Sequence, residues 1–251
     1  MPLRVGFDLD GTVADMHSAL KREAISLFGE DVVRDAEVQP PSQQEAGGEQ
    51  AGLKADSAVP GSDEEQVARP AMQELHLTAR QQSQLWDHVK KIENFWNTLP
   101  ELEPGIIKRL ARNVDERRWE IVFLTTRPAT AGDLVQLQSQ RWLHDHGFEY
   151  PSVFVVRRSR GRIADALGLD AFVDDRPENC LDIAVDSTAK VILVWHGNPK
   201  DIPAGAKSIG VQPVQTISEA LALLEKLDDV RAQPSLMRTI KRAFGKGAPE
   251  R

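Results

Sequence analysis

Five short apolar runs, separated by stretches with helical spacing, constrain this chain more than anything else in it. They are LRVGFD (3–8), EIVFLT (120–125), SVFVV (152–156), AFVDD (171–175) and KVILVW (190–195). Runs of about four to eight apolar residues bounded by polar breaks suit strands buried on both faces. Strand and helix in alternation place those strands in one parallel sheet with helices on either side, an α/β, Rossmann-like three-layer sandwich. Between the runs, Ala19 to Phe28 has helical spacing. Thr78 with Gln81 makes a capping box ahead of Leu85, Trp86, Val89, Ile92, Trp96 and Leu99, and Pro104-Gly105 opens a helix carrying Ile106, Ile107 and Leu110. Further helices are expected from about Asp133 to His146, stopped at Gly147, from about Gly161 to Leu167, and from Pro177.

Composition matters mainly for where the charge lies. The 251 residues carry 31 Lys and Arg against 38 Asp and Glu, a net charge of −7. Residues 35–70 hold eight acids, two bases and no aromatic, a balance of −6 in that stretch alone. A segment so rich in Gly, Pro, Gln, Ser and acids buries too little apolar surface to offset its ordering entropy, and is expected to be a flexible acidic insertion. The rest divides into a core, 1–15 and 104–230, a small helical cap inserted after the first strand, 16–34 and 71–103, and a basic tail, 231–251. A chain of this length forms a core without disulfides, and the single cysteine, Cys180, could make none within the chain. That, with no apolar run of about 18 residues and no secretory leader, points to a reducing, cytoplasmic setting and no membrane span. The net negative charge argues against general affinity for nucleic-acid backbones.

Three strands end in polar residues that a strand end does not require. The first run leads into Asp8, Leu9, Asp10, Gly11, Thr12, the second into Thr125, Thr126, Arg127, and the fourth into Asp174, Asp175. In a parallel sheet these ends share one edge, where chemistry collects. Side chains alternate along extended backbone, so Asp8 and Asp10 project to the same side and can flank one substrate atom. Three or four carboxylates at one edge repel unless a cation joins them, and oxygen-only ligands with room for water suit magnesium. The site then suits a phosphate ester. A carboxylate attacks phosphorus, a neighbouring acid protonates the leaving oxygen, and the cation neutralises phosphoryl charge. Thr125 and an arginine near Arg160 are available to hold the phosphoryl oxygens.

FDLDGTVAD, IVFLTTRP and FVDDRPEN resemble motifs one, two and four of the haloacid dehalogenase superfamily of phosphohydrolases, over residues 1–34 and 71–225. IENFWNTLPELEPGIIKRL, ahead of FLTTRP, is similar to the deoxyribonucleotidase branch, where a small helical cap supplies aromatics to a nucleotide base. The resemblance implies Asp8 as nucleophile and Asp10 as acid, then base. It implies Thr125 and Thr126 as phosphate-binding hydroxyls, and magnesium held by Asp8, the Asp10 carbonyl and Asp175, with Asp174 a second ligand or an orienting group. Asn179 sits where many members have another acid. The substrate it implies is a small phosphorylated metabolite, foremost a nucleoside monophosphate, as for a 5'-nucleotidase.

One departure stands out. The resembling enzymes balance charge at the aspartyl phosphate with a lysine near the start of the helix before motif four, and this chain has RRSRGR there. The role is expected of Arg160, with Arg158 second, since arginine keeps the charge but not the geometry of an ammonium. Phe95, Trp96 and Arg127 are the candidates for pocket contacts. Core packing competes for the two aromatics, and pairing with Asp174 or Asp175 competes for Arg127. The histidines show no metal spacing and are expected in solvent or at caps, and Cys180 behind motif four. TTRP and DDR also resemble polynucleotide 3'-phosphatases, and the missing lysine allows a catalytically weak binding or regulatory protein.

Overall fold

A computed structural model describes residues 2–33, 75, 77–203, 205–206 and 209–232. The acidic insertion expected at 35–70 lies outside the described residues, as does the basic tail beyond residue 232.

The five expected strands form. They are β1 (Arg4–Asp8), β2 (Glu120–Thr125), β3 (Ser152–Val155), β4 (Ala171–Asp174) and β5 (Lys190–Val194), joined by a sixth, β6 (Gln212–Val214). They make one sheet in the order β3-β2-β1-β4-β5-β6, with every pairing parallel. β1 is central, and the order runs outward from it in both directions, which opens a crevice above its carboxyl end. Gly6 lets this centre close, because a Cβ there would lie 2.3 Å from the Phe172 ring of β4, its partner in register.

The helices between the strands are α1 (Met16–Phe28), α2 (Ala79–Val89), α3 (Ile106–Arg117), α4 (Val135–Asp145), α5 (Arg160–Ala166), α6 (Pro177–Asp186) and α7 (Ile217–Ala232). Alternation along the strands sorts them into two layers. Val5, Phe7, Ile121, Phe123, Val173 and Ile192 face a core closed by α1, α2, α3, α4 and α7. Leu124, Phe172, Val191 and Leu193 face the opposite core, closed by Ala164 of α5 and Cys180 and Ile183 of α6. Helix starts follow local chemistry. Asp15 caps α1 by accepting from the Ser18 N–H, and Thr78 with Gln81 forms the expected capping box on α2.

The apolar pattern running from Leu85 to Leu99 is not one helix. α2 ends at Val89, and Asn94 turns the chain in the left-handed region (φ 53°) before a short 3-10 turn, Phe95–Asn97. Asn94 is pinned there, its N–H donating to the Ala131 carbonyl and its Oδ1 accepting from the Asp133 N–H. The spacing of Trp96 and Leu99 therefore reports burial against α4. Trp96 N–H donates to Gln138 Oε1, and Trp142 Nε1 donates to the Leu99 carbonyl.

Candidate active site

The carboxyl ends of β1, β2 and β4 converge on a cleft of about 280 Å³. Asp8, Asp10, Thr126, Arg160 and Asp175 line its floor, with Gly11, Met16, His17, Ser18, Leu102, Arg176 and His196 around them. Asp8 closes β1 and is buried, as expected of a residue at the switch point of the sheet. Gly11 (φ +82°) makes the turn after Asp10, and no other residue fits: a Cβ would lie 2.3 Å from Asp175 Oδ2.

Arg160 is the first residue of α5, aimed inward by the Ser159 cap, which accepts from the Arg162 N–H. One guanidinium nitrogen, Nη1, reaches Asp8 Oδ1 at 2.6 Å and Asp174 Oδ2 at 2.5 Å. Burial works against this cation, but Asp8 and Asp174 outweigh it and raise its pKa above the ordinary guanidinium range. Arg158, the alternative, is exposed.

The acidic pair of β4 divides its labour. Asp174 is fully buried with both oxygens occupied: Arg160 Nη1 and the Asn179 amide donate to Oδ2, and the Arg176 N–H and the same amide to Oδ1. It orients Arg160 and the loop. Asp175 accepts from Thr12 Oγ1 at 3.1 Å and faces the cleft. Cys180 packs behind this loop, its thiol pushed up by burial and by Asp174 and Asp175.

Asp8, Asp174 and Asp175 each bring one carboxylate oxygen within 4.8 Å of the others. Burial, then repulsion from Asp174 and Asp10, pushes the Asp8 carboxyl up to about 7 against the opposing pull of Arg160. Burial and the charges of Asp8 and Asp174 raise Asp175 well above the carboxylate range. An oxygen-only cluster that resists ionisation by itself suits a hard divalent cation, and Asp8 with Asp175 are the members with the freer oxygens. The sign of the pH effect follows. Between 3.8 and about 7 the folded chain retains a proton on Asp8 that the unfolded chain has lost, so in chelator stability falls as pH rises through that window. A divalent cation held by the ionised form should abolish the fall. Melting temperatures at about pH 5 and about pH 7.5, with magnesium and with chelator, check this, and parallel changes in both conditions would contradict it.

The remaining expected residues are placed otherwise. Arg127 pairs with neither Asp174 nor Asp175 and does not line the cleft; it is buried and grips Asp10, with Nε 2.9 and 2.8 Å from Oδ1 and Oδ2 and Nη2 2.7 Å from Oδ1. Phe95 and Trp96 are fully buried in the core and offer no face to the cleft. Thr125 is buried, its hydroxyl 3.4 Å from Asp10 Oδ2 and accepting from the Arg127 N–H, whereas Thr126 lines the cleft. Two histidines, half-buried His17 and exposed His196, border the cleft. His196 follows β5, and its Nε2 lies 2.6 Å from the Gly11 carbonyl. The signal for His196 was positional, since it stands at the carboxyl end of a strand. Arg176 was signalled by following Asp175 directly.

Neither a family model nor a curated protein matches the chain. Solved structures do. A dehalogenase crystallised with an intermediate complex aligns with a TM-score of 0.50 at 14% identity, over 88% of this chain and 96% of that one. The fold is that of the haloacid dehalogenase-like hydrolases. Two other structures align less tightly. A HAD family hydrolase from Deinococcus radiodurans R1, with bound phosphate and sodium, gives 0.49 at 14% identity, over 90% and 96% of the two chains. A putative β-phosphoglucomutase from Thermotoga maritima gives 0.47 at 17%, over 89% and 99%. Among the described residues, no helix of this haloacid dehalogenase-like fold is long and apolar enough to cross a membrane.

Proposed function

We propose that the chain is a magnesium-dependent phosphomonoester hydrolase that works through an aspartyl phosphate on Asp8. One observation carries the reading: Asp8 lies at the floor of the cleft with a buried guanidinium on one oxygen, a second acid beside it at Asp175, and a third, Asp10, two residues on. A phosphoryl group brings anionic oxygens that the guanidinium, and a cation held by the carboxylates, would neutralise, whereas the carbon centre of a halide displacement brings none.

In this reading an Asp8 oxygen forms a bond to phosphorus as the ester oxygen departs, and Asp10 gives that oxygen its proton. Asp10 then takes a proton from the water that attacks the aspartyl phosphate, releasing inorganic phosphate and restoring Asp8. Arg160 stays on Asp8 and holds the phosphoryl oxygens with Thr126, Thr125 standing behind them. Asp8, Asp175 and the Asp10 carbonyl would hold magnesium, which when bound neutralises charge on the phosphoryl oxygens.

The substrate belongs to the same proposal. With Phe95 and Trp96 in the core, the cleft lining that can meet a leaving group includes His17, Ser18, Arg176 and His196, which suit hydrogen-bond acceptors, beside Asp15, Met16 and Leu102. A nucleoside monophosphate remains the first candidate from the resemblance to the deoxyribonucleotidases. The core and cap boundaries given above, a cytoplasmic setting and a small-molecule rather than nucleic-acid partner are proposed with it. The test is release of inorganic phosphate from nucleoside monophosphates, sugar phosphates and a 3'-phosphorylated oligonucleotide, with magnesium and with chelator. Magnesium-dependent release from a small ester is expected. Release from the oligonucleotide alone would favour the polynucleotide 3'-phosphatase, and no release from any would favour a binding protein.

A further inference from the structure

We propose that Arg127, packed against Trp96 and Trp142, is the positioning residue of Asp10, fixing the plane in which that carboxyl meets the leaving oxygen. The inference rests on the phosphatase reading and goes beyond it. Arg127 is 1% exposed, and each of its three guanidinium nitrogens donates a hydrogen bond. Nε and Nη2 hold both Asp10 oxygens, and Nη1 donates to Ser139 Oγ at 2.9 Å. Its Cζ lies 4.9 Å from the Trp96 ring and 5.9 Å from the Trp142 ring. The rings are fixed in turn, since Trp96 Nε1 donates to the Pro128 carbonyl at 3.0 Å and Trp142 Nε1 to the Leu99 carbonyl at 2.7 Å.

Fold stability alone does not call for this arrangement, because well-packed apolar residues often replace a buried ion pair at no loss. What the grip supplies is direction. Asp10 reaches the cleft from one side while Arg127 holds it from the other, away from the cleft. A planar fork gripping two oxygens fixes the carboxyl rotamer in a way a point charge cannot. A proton donor has to stand within about 3 Å of the oxygen it serves, so a fixed rotamer is a catalytic requirement.

The inference separates substrates by leaving group. Departure of 4-nitrophenolate needs no proton, whereas departure of an alkoxide from glycerol phosphate does. Because kcat/KM covers only the steps through loss of the leaving group, the later role of Asp10 as base does not enter it. Two variants are measured with both esters, each with its melting temperature. Arg127→Lys keeps the charge and loses the two-point grip; Ser139→Ala keeps the grip and loses one anchor, and serves should the first fail to fold. With Arg127→Lys, kcat/KM for glycerol phosphate should fall about a hundredfold and that for 4-nitrophenyl phosphate by less than about fivefold. Ser139→Ala should shift the ratio the same way by a smaller factor. An unchanged ratio in a folded variant, with both esters falling together or neither falling, would overturn the inference and leave the phosphatase reading intact. A wild-type chain that releases phosphate neither from these esters nor from any ester of the screen would overturn both.

Discussion

Asp8→Asn should lose activity by about 10⁴-fold or more, over 5 kcal/mol of barrier, while folding as well as the wild type. The amide cannot form the phosphoryl ester, and neither Asp174, with both oxygens engaged, nor Asp10, gripped by Arg127, stands where it could take over. The expectation for stability runs the other way. Burial and neighbouring carboxylates disfavour the charged form of Asp8, so removing that charge relieves repulsion with Asp174 and Asp10. In chelator near neutral pH the variant should therefore melt at or above the wild-type temperature. Measuring phosphate release and melting together separates loss of a nucleophile from loss of structure, and an active Asp8→Asn would sink the mechanism.

The second large effect is at Arg160. Its Nη1 is the cation shared by Asp8 and Asp174, and Arg160→Ala leaves two buried carboxylates facing each other without it. Breaking a buried ion pair from one side costs about 3 to 5 kcal/mol, and magnesium at the cluster should return part of that. Turnover should fall about a hundredfold, because a preorganised charge on the phosphoryl oxygens is worth most as charge develops there. Both contacts come from a single nitrogen, so a lysine ammonium can occupy that point, and Arg160→Lys should stay within about tenfold of wild type. Arg158→Ala, at an exposed position of the same basic run, should change neither rate nor melting temperature. Steady-state kinetics with melting curves on the three variants checks this. A normal rate in folded Arg160→Ala would remove the residue from the site.

The frame of this site was legible because its signals are local. Each apolar run ends within one residue of a strand end, and acids two apart on extended backbone, or adjacent at a strand end, state their own geometry. Asp8, Asp174 and Asp175 could thus be brought to one edge before any coordinates. Residues whose role depends on packing across the sheet were not legible in the same way. Periodicity showed that Trp96 and Leu99 are buried but not that Asn94 breaks the helix before them, so the aromatics stand against α4, away from the cleft. Arg127 carries a charge, and charge in a sequence suggests solvent or substrate. Its partner Asp10 lies 117 residues away, and the two indoles flanking it come from separate segments. His17 and His196 both line the cleft although they lie far apart in the chain, a proximity no spacing rule encodes. β6 was missed because three residues including Pro213 make no strand signal, and its pairing with β5 supplies what its own sequence lacks.

The central claim is a covalent phosphoryl ester on Asp8, and trapping it tests that claim most directly. The protein is mixed with magnesium and a radiolabelled phosphomonoester from the screen, quenched in acid within a turnover, and digested for peptide mapping. The account predicts label on the peptide containing Asp8, lost on borohydride reduction with conversion of that aspartate to homoserine, and absent from Asp8→Asn. Phosphate release at full rate with no label on that peptide, or label on another residue, would contradict it.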